Sequence, residues 1–103
     1  MSVDNRKAGM GEMRRRHEAI IRSGALAKLR SEGRLVFAIA LCWADYRTCQ
    51  FKMTARGAAT VAGVQPTAIR RGLAQLVTAG ILEQGPAVPG KRPRYRFLCP
   101  GSC

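Results

Sequence analysis

Gln65, Thr67, Ala68, Arg70 and Arg71 crowd into one short stretch of the chain, and Lys91, Arg92, Arg94 and Arg96 into another. The glutamine amide and the arginine fork each offer hydrogen bonds in parallel, a geometry suited to planar polar edges and to anionic oxygens. Thr54 and Arg56 add a hydroxyl and a guanidinium just upstream. Groups of this kind recognise and hold a partner without making or breaking its bonds. Residues suited to catalysis are scattered by contrast. His17 is the single histidine and sits beside three arginines, the six carboxylates stand apart from one another, and no glycine-rich phosphate loop or serine nucleophile motif occurs. Cys42, Cys49, Cys99 and Cys103 lack the Cys-x-x-Cys spacing of a zinc site. A binding protein is therefore expected, with no catalytic residues, no metal and no cofactor.

The 103 residues include 18 Lys and Arg against 6 Asp and Glu, a formal charge of +12, and 14 of the cations are arginine. Guanidinium pairs with phosphate where an ammonium is only a point charge, so nucleic acid is the leading partner and an anionic membrane surface the second. A hydrophobic share of 47 % fits one small domain with a core and excludes disorder throughout. The longest apolar run, residues 35–44, falls well short of the roughly 20 residues of a membrane helix. The N-terminal stretch lacks the order of a secretory signal, so a cytoplasmic, nucleoid-associated protein with reduced thiols is expected. The charge is unevenly spread: residues 1–30 carry +5, residues 31–64 carry +2 and residues 65–103 carry +5.

These residues need elements to position them. Residues 1–11 hold little apolar surface and are expected as a flexible arm. In residues 12–30, Met13, Ile20, Ile21, Leu26 and Leu29 among many cations predict one or two amphipathic helices broken at Ser23-Gly24. This basic helical extension offers Arg14, Arg15 and Arg16 as arm contacts and His17 as a surface or arm residue. Ser31 is placed to cap a helix over residues 31–44, apolar on every side and so central to the core, with Cys42, Trp43 and Tyr46 inside. Residues 49–53 alternate as a short strand, leading to Thr54 as the cap of a helix over 55–62.

Pro66 at a first turn and Gly80 at a stop bound the next helix. Its Ile69, Leu73 and Leu76 share the face turned to the core; Thr67, Arg71, Ala74 and Thr78 share the opposite face, with Ala68 and Arg70 on the flanks. Residues 81–84 are extended and residues 85–93, rich in proline, form a loop. Residues 94–98 alternate, Tyr95 and Phe97 inward and Arg94 and Arg96 outward, before a tail at 99–103.

The run Ala58-Ala59-Thr60-Val61-Ala62-Gly63-Val64-Gln65-Pro66-Thr67-Ala68-Ile69-Arg70 resembles the helix-turn-helix pattern in which Leu-Ala is followed by Gly-Val, a capping residue and the start of a second helix. Leu73, Leu76 and Gly80-Ile81-Leu82-Glu83 resemble the exit of a winged-helix recognition helix into its first wing strand. The resemblance spans residues 33–98 and is to small winged-helix domains of bacterial regulators and of phage or plasmid replication proteins. It departs at Ala58, usually a larger aliphatic residue, at Gln65, often serine, and at Gly72 within the second helix. The implied fold is mainly α with a small β-hairpin: a three-helix core and a two- or three-stranded wing over residues 31–98, behind an N-terminal helical extension.

A helix fits the major groove, where arginine pairs with guanine and glutamine with adenine, which makes Gln65, Thr67, Ala68 and Arg71 the candidates for base contact. Thr54, Arg56, Arg70, Lys91, Arg92, Arg94 and Arg96 are the candidates for the backbone or the minor groove, the wing residues as the resemblance implies. The expected function is sequence-specific binding of double-stranded DNA by a transcriptional repressor or a replication or partition factor that acts by occupancy. The helical extension would pair two copies into a homodimer or lie along the DNA of a single copy. The alternatives are an adaptor whose winged helix binds an acidic protein, and an RNA-binding protein.

Overall fold

The computed structural model describes residues 2–86 and 88–98, with side chains from residue 11 onward. The described residues form helices α1 (Ser2–Arg22), α2 (Ser31–Trp43), α3 (Ala55–Ala62) and α4 (Pro66–Thr78), and strands β1 (Gln50–Lys52), β2 (Leu82–Gln84) and β3 (Arg94–Phe97). A 3-10 turn at Ala25–Lys28 joins α1 to α2. The chain is thus mainly helical, with one small antiparallel sheet. Among the described residues no helix is long and apolar enough to cross a membrane.

α1 runs across both N-terminal segments distinguished in the sequence. Its backbone is helical from Ser2, through the segment expected as a flexible arm. Once a helix is nucleated, each further residue adds a hydrogen bond for the ordering of that residue alone, and the C-terminal half of α1 supplies a firmly anchored nucleus. That half is also no appendage: Met13 and Ile20 from α1, with Ala25 and Leu29 after it, belong to the common core. The Ser23-Gly24 break is where the helix ends, with Gly24 at φ 78.

α2 buries Gly33, Val36, Phe37 and Ala40, one stripe at helical spacing, and leaves Ala38, Cys42 and Trp43 exposed. The expectation of a helix buried all round is overturned, as is the placing of Cys42, Trp43 and Tyr46 in the core. Trp43 is 39% and Tyr46 53% exposed, because a chain this small has too few elements to cover every side of one helix. Nor does Ser31 cap α2. Arg30 holds the N-cap position, and its backbone N–H donates to Gln75 Oε1 of α4 at 2.9 Å.

Past α2, the Asp45 carboxylate accepts from the backbone N–H groups of Arg47 (2.8 Å) and Thr48 (3.0 Å), which hold its carboxyl below the usual range. This tight turn delivers the buried Cys49 at φ 60 and leads into β1. The Thr54 hydroxyl then accepts from Gly57 N–H at 3.1 Å, capping α3 as expected.

The sheet order is β1-β3-β2, with β3 antiparallel to both neighbours. Tyr95 and Phe97 of β3 turn into the core; the Tyr95 ring stacks on Phe51 at 5.5 Å and Phe97 meets Phe37 edge to face at 5.8 Å. Burial raises the Tyr95 hydroxyl above its ordinary pKa.

Candidate nucleic-acid interface

α3 and α4 meet through a turn in which Gly63 adopts φ 70, a left-handed conformation that costs glycine no Cβ clash. Gln65 occupies the N-cap of α4 without a side-chain capping bond, and its side chain is exposed ahead of the helix. Pro66 then starts α4, where the missing N–H is no loss. Ile69, Gly72, Leu73 and Leu76 are buried, as the periodicity predicts for three of them, and Thr67, Arg70, Arg71, Ala74 and Thr78 are exposed. Ala68 is half-buried.

The two arginines sit on opposite flanks of that exposed face. Arg71 Nη1 lies 3.7 Å from Glu32 Oε2 of α2, a loose contact for a side chain 69% exposed, so its guanidinium stays open to other acceptors. Arg70 borders a cleft of about 340 Å³ between α4 and the sheet, whose other walls include Leu73, Val77, Gln84 and Tyr95. Arg56 is exposed in the first turn of α3. The Thr54 hydroxyl nearby accepts one bond, from Gly57 N–H, and keeps its own proton to donate.

Lys91 and Arg92 are exposed in the loop between β2 and β3. Arg94 and Arg96 are exposed too, but they project from the face of β3 opposite Tyr95 and Phe97. Tyr95 lines the cleft beside Arg70, so Arg94 and Arg96 lie across the sheet from α4. The structure therefore brings Gln65, Thr67, Arg70 and Arg71 to one surface and turns Arg94 and Arg96 to another. Because β3 is central in the sheet, its cations do not serve to shield an edge strand. Arg96 Nη2 is bound to Glu83 Oε2 at 2.6 Å. Lys52 on β1 stands directly opposite Arg94 and was not among the residues expected here. The alternation of Phe51, Lys52 and Met53 was the available signal, since it turns Lys52 outward.

Arg14, Arg15 and Arg16 also part company. Arg14 and Arg15 are exposed and, among the described residues, pair only along their own helix, with Glu18 at 3.4 Å and Glu12 at 3.3 Å. Arg16 is turned inward: its Nε meets Glu12 at 2.8 Å and its Nη1 donates to the carbonyl of Phe97. His17 is half-buried with its ring 5.7 Å from that of Phe37, where a surface or arm residue was expected.

In comparisons with family models, with curated proteins and with solved structures, nothing matches the chain. The reading of the interface therefore rests on its own chemistry. Among the described residues no group of three or more His, Cys, Asp or Glu side chains is placed to hold a metal ion. Cys99 and Cys103 lie outside the described residues, and desolvation pushes the thiol of buried Cys49 above its ordinary pKa.

Proposed function

We propose that the chain is a winged helix-turn-helix protein that binds double-stranded DNA with sequence preference and acts by occupying its site, as a transcriptional repressor or a replication or partition factor. The observation that carries this reading is the two-sidedness of α4. One face is committed to the core through Ile69, Leu73 and Leu76, while the other presents an uncommitted Gln65 amide, the Thr67 hydroxyl and two arginines at the helix's N-terminal half. That half is the part of a recognition helix that reaches base edges in the major groove.

In this reading Gln65, Thr67 and Arg71 touch bases, Ala68 sits close against the groove wall, and Arg70 and Arg56 hold phosphates on either side. Thr54 adds a donor at the start of α3. Lys91 and Arg92, at the tip of the hairpin, reach the backbone or minor groove next to the site. Arg14 and Arg15 are the contacts α1 offers to DNA or, in a homodimer, to the flanks of a second half-site. Exposed Trp43 and Tyr46 favour a second reading, in which the end of α2 docks a protein partner and the fold serves as an adaptor.

Selection of bound fragments from random duplexes, followed by titration of the selected duplex against a charge-matched polyanion over a range of salt, tests the proposal. A recurring motif bound more tightly than the polyanion is expected. Equal affinity for the two would sink it.

A further inference from the structure

We infer that the outer face of the β-sheet is a second phosphate-binding surface, which takes the backbone of a separate duplex segment, so that one chain holds two duplexes. The first of the two rests on the reading of α4 given above; the second rests on the sheet itself.

Antiparallel pairing sets Lys52 of β1 directly opposite Arg94 of β3, and both side chains are exposed. Like charges so placed, here on the end rung of the β1·β3 ladder, destabilise a sheet, and shielding of the edge strand accounts for Lys52 on β1 but not for Arg94 on the central strand. Among the described residues neither cation takes part in an ion pair. On the next rung Arg96 faces Gln50 on one side and Glu83 on the other, and its bond to Glu83 neutralises that carboxylate. The face as a whole holds three cations against one acid. Its two rungs are spaced by about 6.7 Å along the strand, a repeat over which a nucleic-acid strand also presents regularly spaced phosphates.

The surface between the rungs is shaped as well as charged. Gln50, Glu83, Gly85, Arg94 and Arg96 line a shallow cleft of about 240 Å³, and Lys52 and Arg94 border a second one beside it. An anionic oxygen there would relieve the Lys52–Arg94 repulsion, which is the physical gain that binding would bring. Nucleic acid is favoured over a lipid surface because, among the described residues, none of the exposed large hydrophobic ones belongs to a strand to anchor this face in acyl chains. The face lies across the sheet from α4, so a duplex seated on α4 leaves it open.

The test measures how many duplexes of about 12 base pairs, little more than one helical turn, bind per chain, using the native protein and two double variants. These are Lys52→Ser with Arg94→Ser on the sheet, and Arg70→Ser with Arg71→Ser on α4. All four positions are exposed, so both variants should fold. Two duplexes per native chain are expected, one of them lost in the sheet variant together with a fall of about 2 in the salt slope, and one still bound by the α4 variant. One duplex per native chain, with number and slope unchanged in the sheet variant, would overturn the inference and leave the α4 reading standing. Duplex binding lost in the sheet variant and unaffected in the α4 variant would uphold the sheet site and overturn the α4 reading. A native chain that binds no duplex overturns both. Binding to phosphatidylserine vesicles that disappears in the sheet variant, with the duplex number unchanged, would overturn the inference in favour of a lipid surface.

Discussion

Gly72 of α4 lies against α2 so closely that a Cβ built on it would stand 2.5 Å from the carbonyl oxygen of Glu32 and 2.5 Å from Cγ2 of Val36. A glycine within a helix costs about 1 kcal/mol relative to alanine, so the close approach must return at least that much. Gly72→Ala should therefore destabilise the protein despite its better helix propensity. The backbone carbonyl cannot move without carrying α2 with it, and overpacking of this kind costs about 1–3 kcal/mol. Thermal melting measures it; an unchanged or raised Tm would show that the two helices can separate freely.

Gln75 joins the same pair of helices by its amide. It accepts from Arg30 N–H at 2.9 Å and donates to Glu32 at 3.3 Å, in the role expected of a cap at Ser31. Gln75→Leu should lower stability by about 1 kcal/mol, the usual worth of such bonds, read by denaturant midpoint. Ser31→Ala should cost less, since Ser31 does not cap the helix.

Arg16 and its neighbours should separate cleanly. Arg16→Met keeps most of the stem's packing but removes the bond to the Phe97 carbonyl, and a loss of about 1–2 kcal/mol is expected for a partly buried charged donor. Arg14→Ala and Arg15→Ala break only exposed pairs within one helix and should shift stability by less than about 0.5 kcal/mol. Chemical denaturation of the three variants decides the matter, and equal effects would mean that Arg16 is not a structural residue.

For DNA, Arg71→Ala should relax the preference among selected sites and cost about 1–3 kcal/mol on the best one. Lys91→Ala with Arg92→Ala should weaken all duplexes alike and lower the salt slope by about 2. Competition titrations against scrambled sites separate these patterns. The assignment of bases to α4 and backbone to the loop fails if the two variants behave the same.

Thiol labelling should distinguish Cys42 from Cys49. Cys42 is exposed and should react readily, whereas Cys49 is buried with a raised pKa and should react only on unfolding. The sign for stability follows from the same shift. Below the ordinary thiol value both states keep the proton and the contribution is intact; as pH rises through it the unfolded chain ionises first, and stability falls toward the folded value. Peptide mapping after brief alkylation tests the labelling, and denaturant midpoints measured from neutral to alkaline pH test the fall in stability.

Local chemistry settles within a few residues, and what depends on it was legible. The Thr54 cap, the Pro66 start and Gly80 stop of α4, its buried Ile69, Leu73 and Leu76, and the inward Tyr95 and Phe97 all follow from spacing or from caps read along the chain. So does the exposure of Gln65, Thr67, Arg70 and Arg71, which is the remaining half of the same periodicity. Trp43 and Tyr46 show where that reading stops: apolar character marks a residue as able to be buried, and only the count of neighbouring elements decides whether something covers it.

Distant partners made the other choices. Arg16 is drawn inward by a carbonyl 81 positions away, and Gln75 caps a helix start 45 positions upstream. No periodicity within α1 or α4 encodes either bond, because each depends on how separate elements come to rest against each other. The same holds for Arg94 and Arg96. Alternation along β3 put them outside, as the amino-acid sequence by itself determined, but the sheet's packing against α4 decided that outside means the far face, beside Lys52 and away from Arg70. The chain's chemistry thus supplied cations suited to phosphate, and the tertiary structure sorted them into two surfaces, because side-chain direction is local while the facing of one element toward another is not.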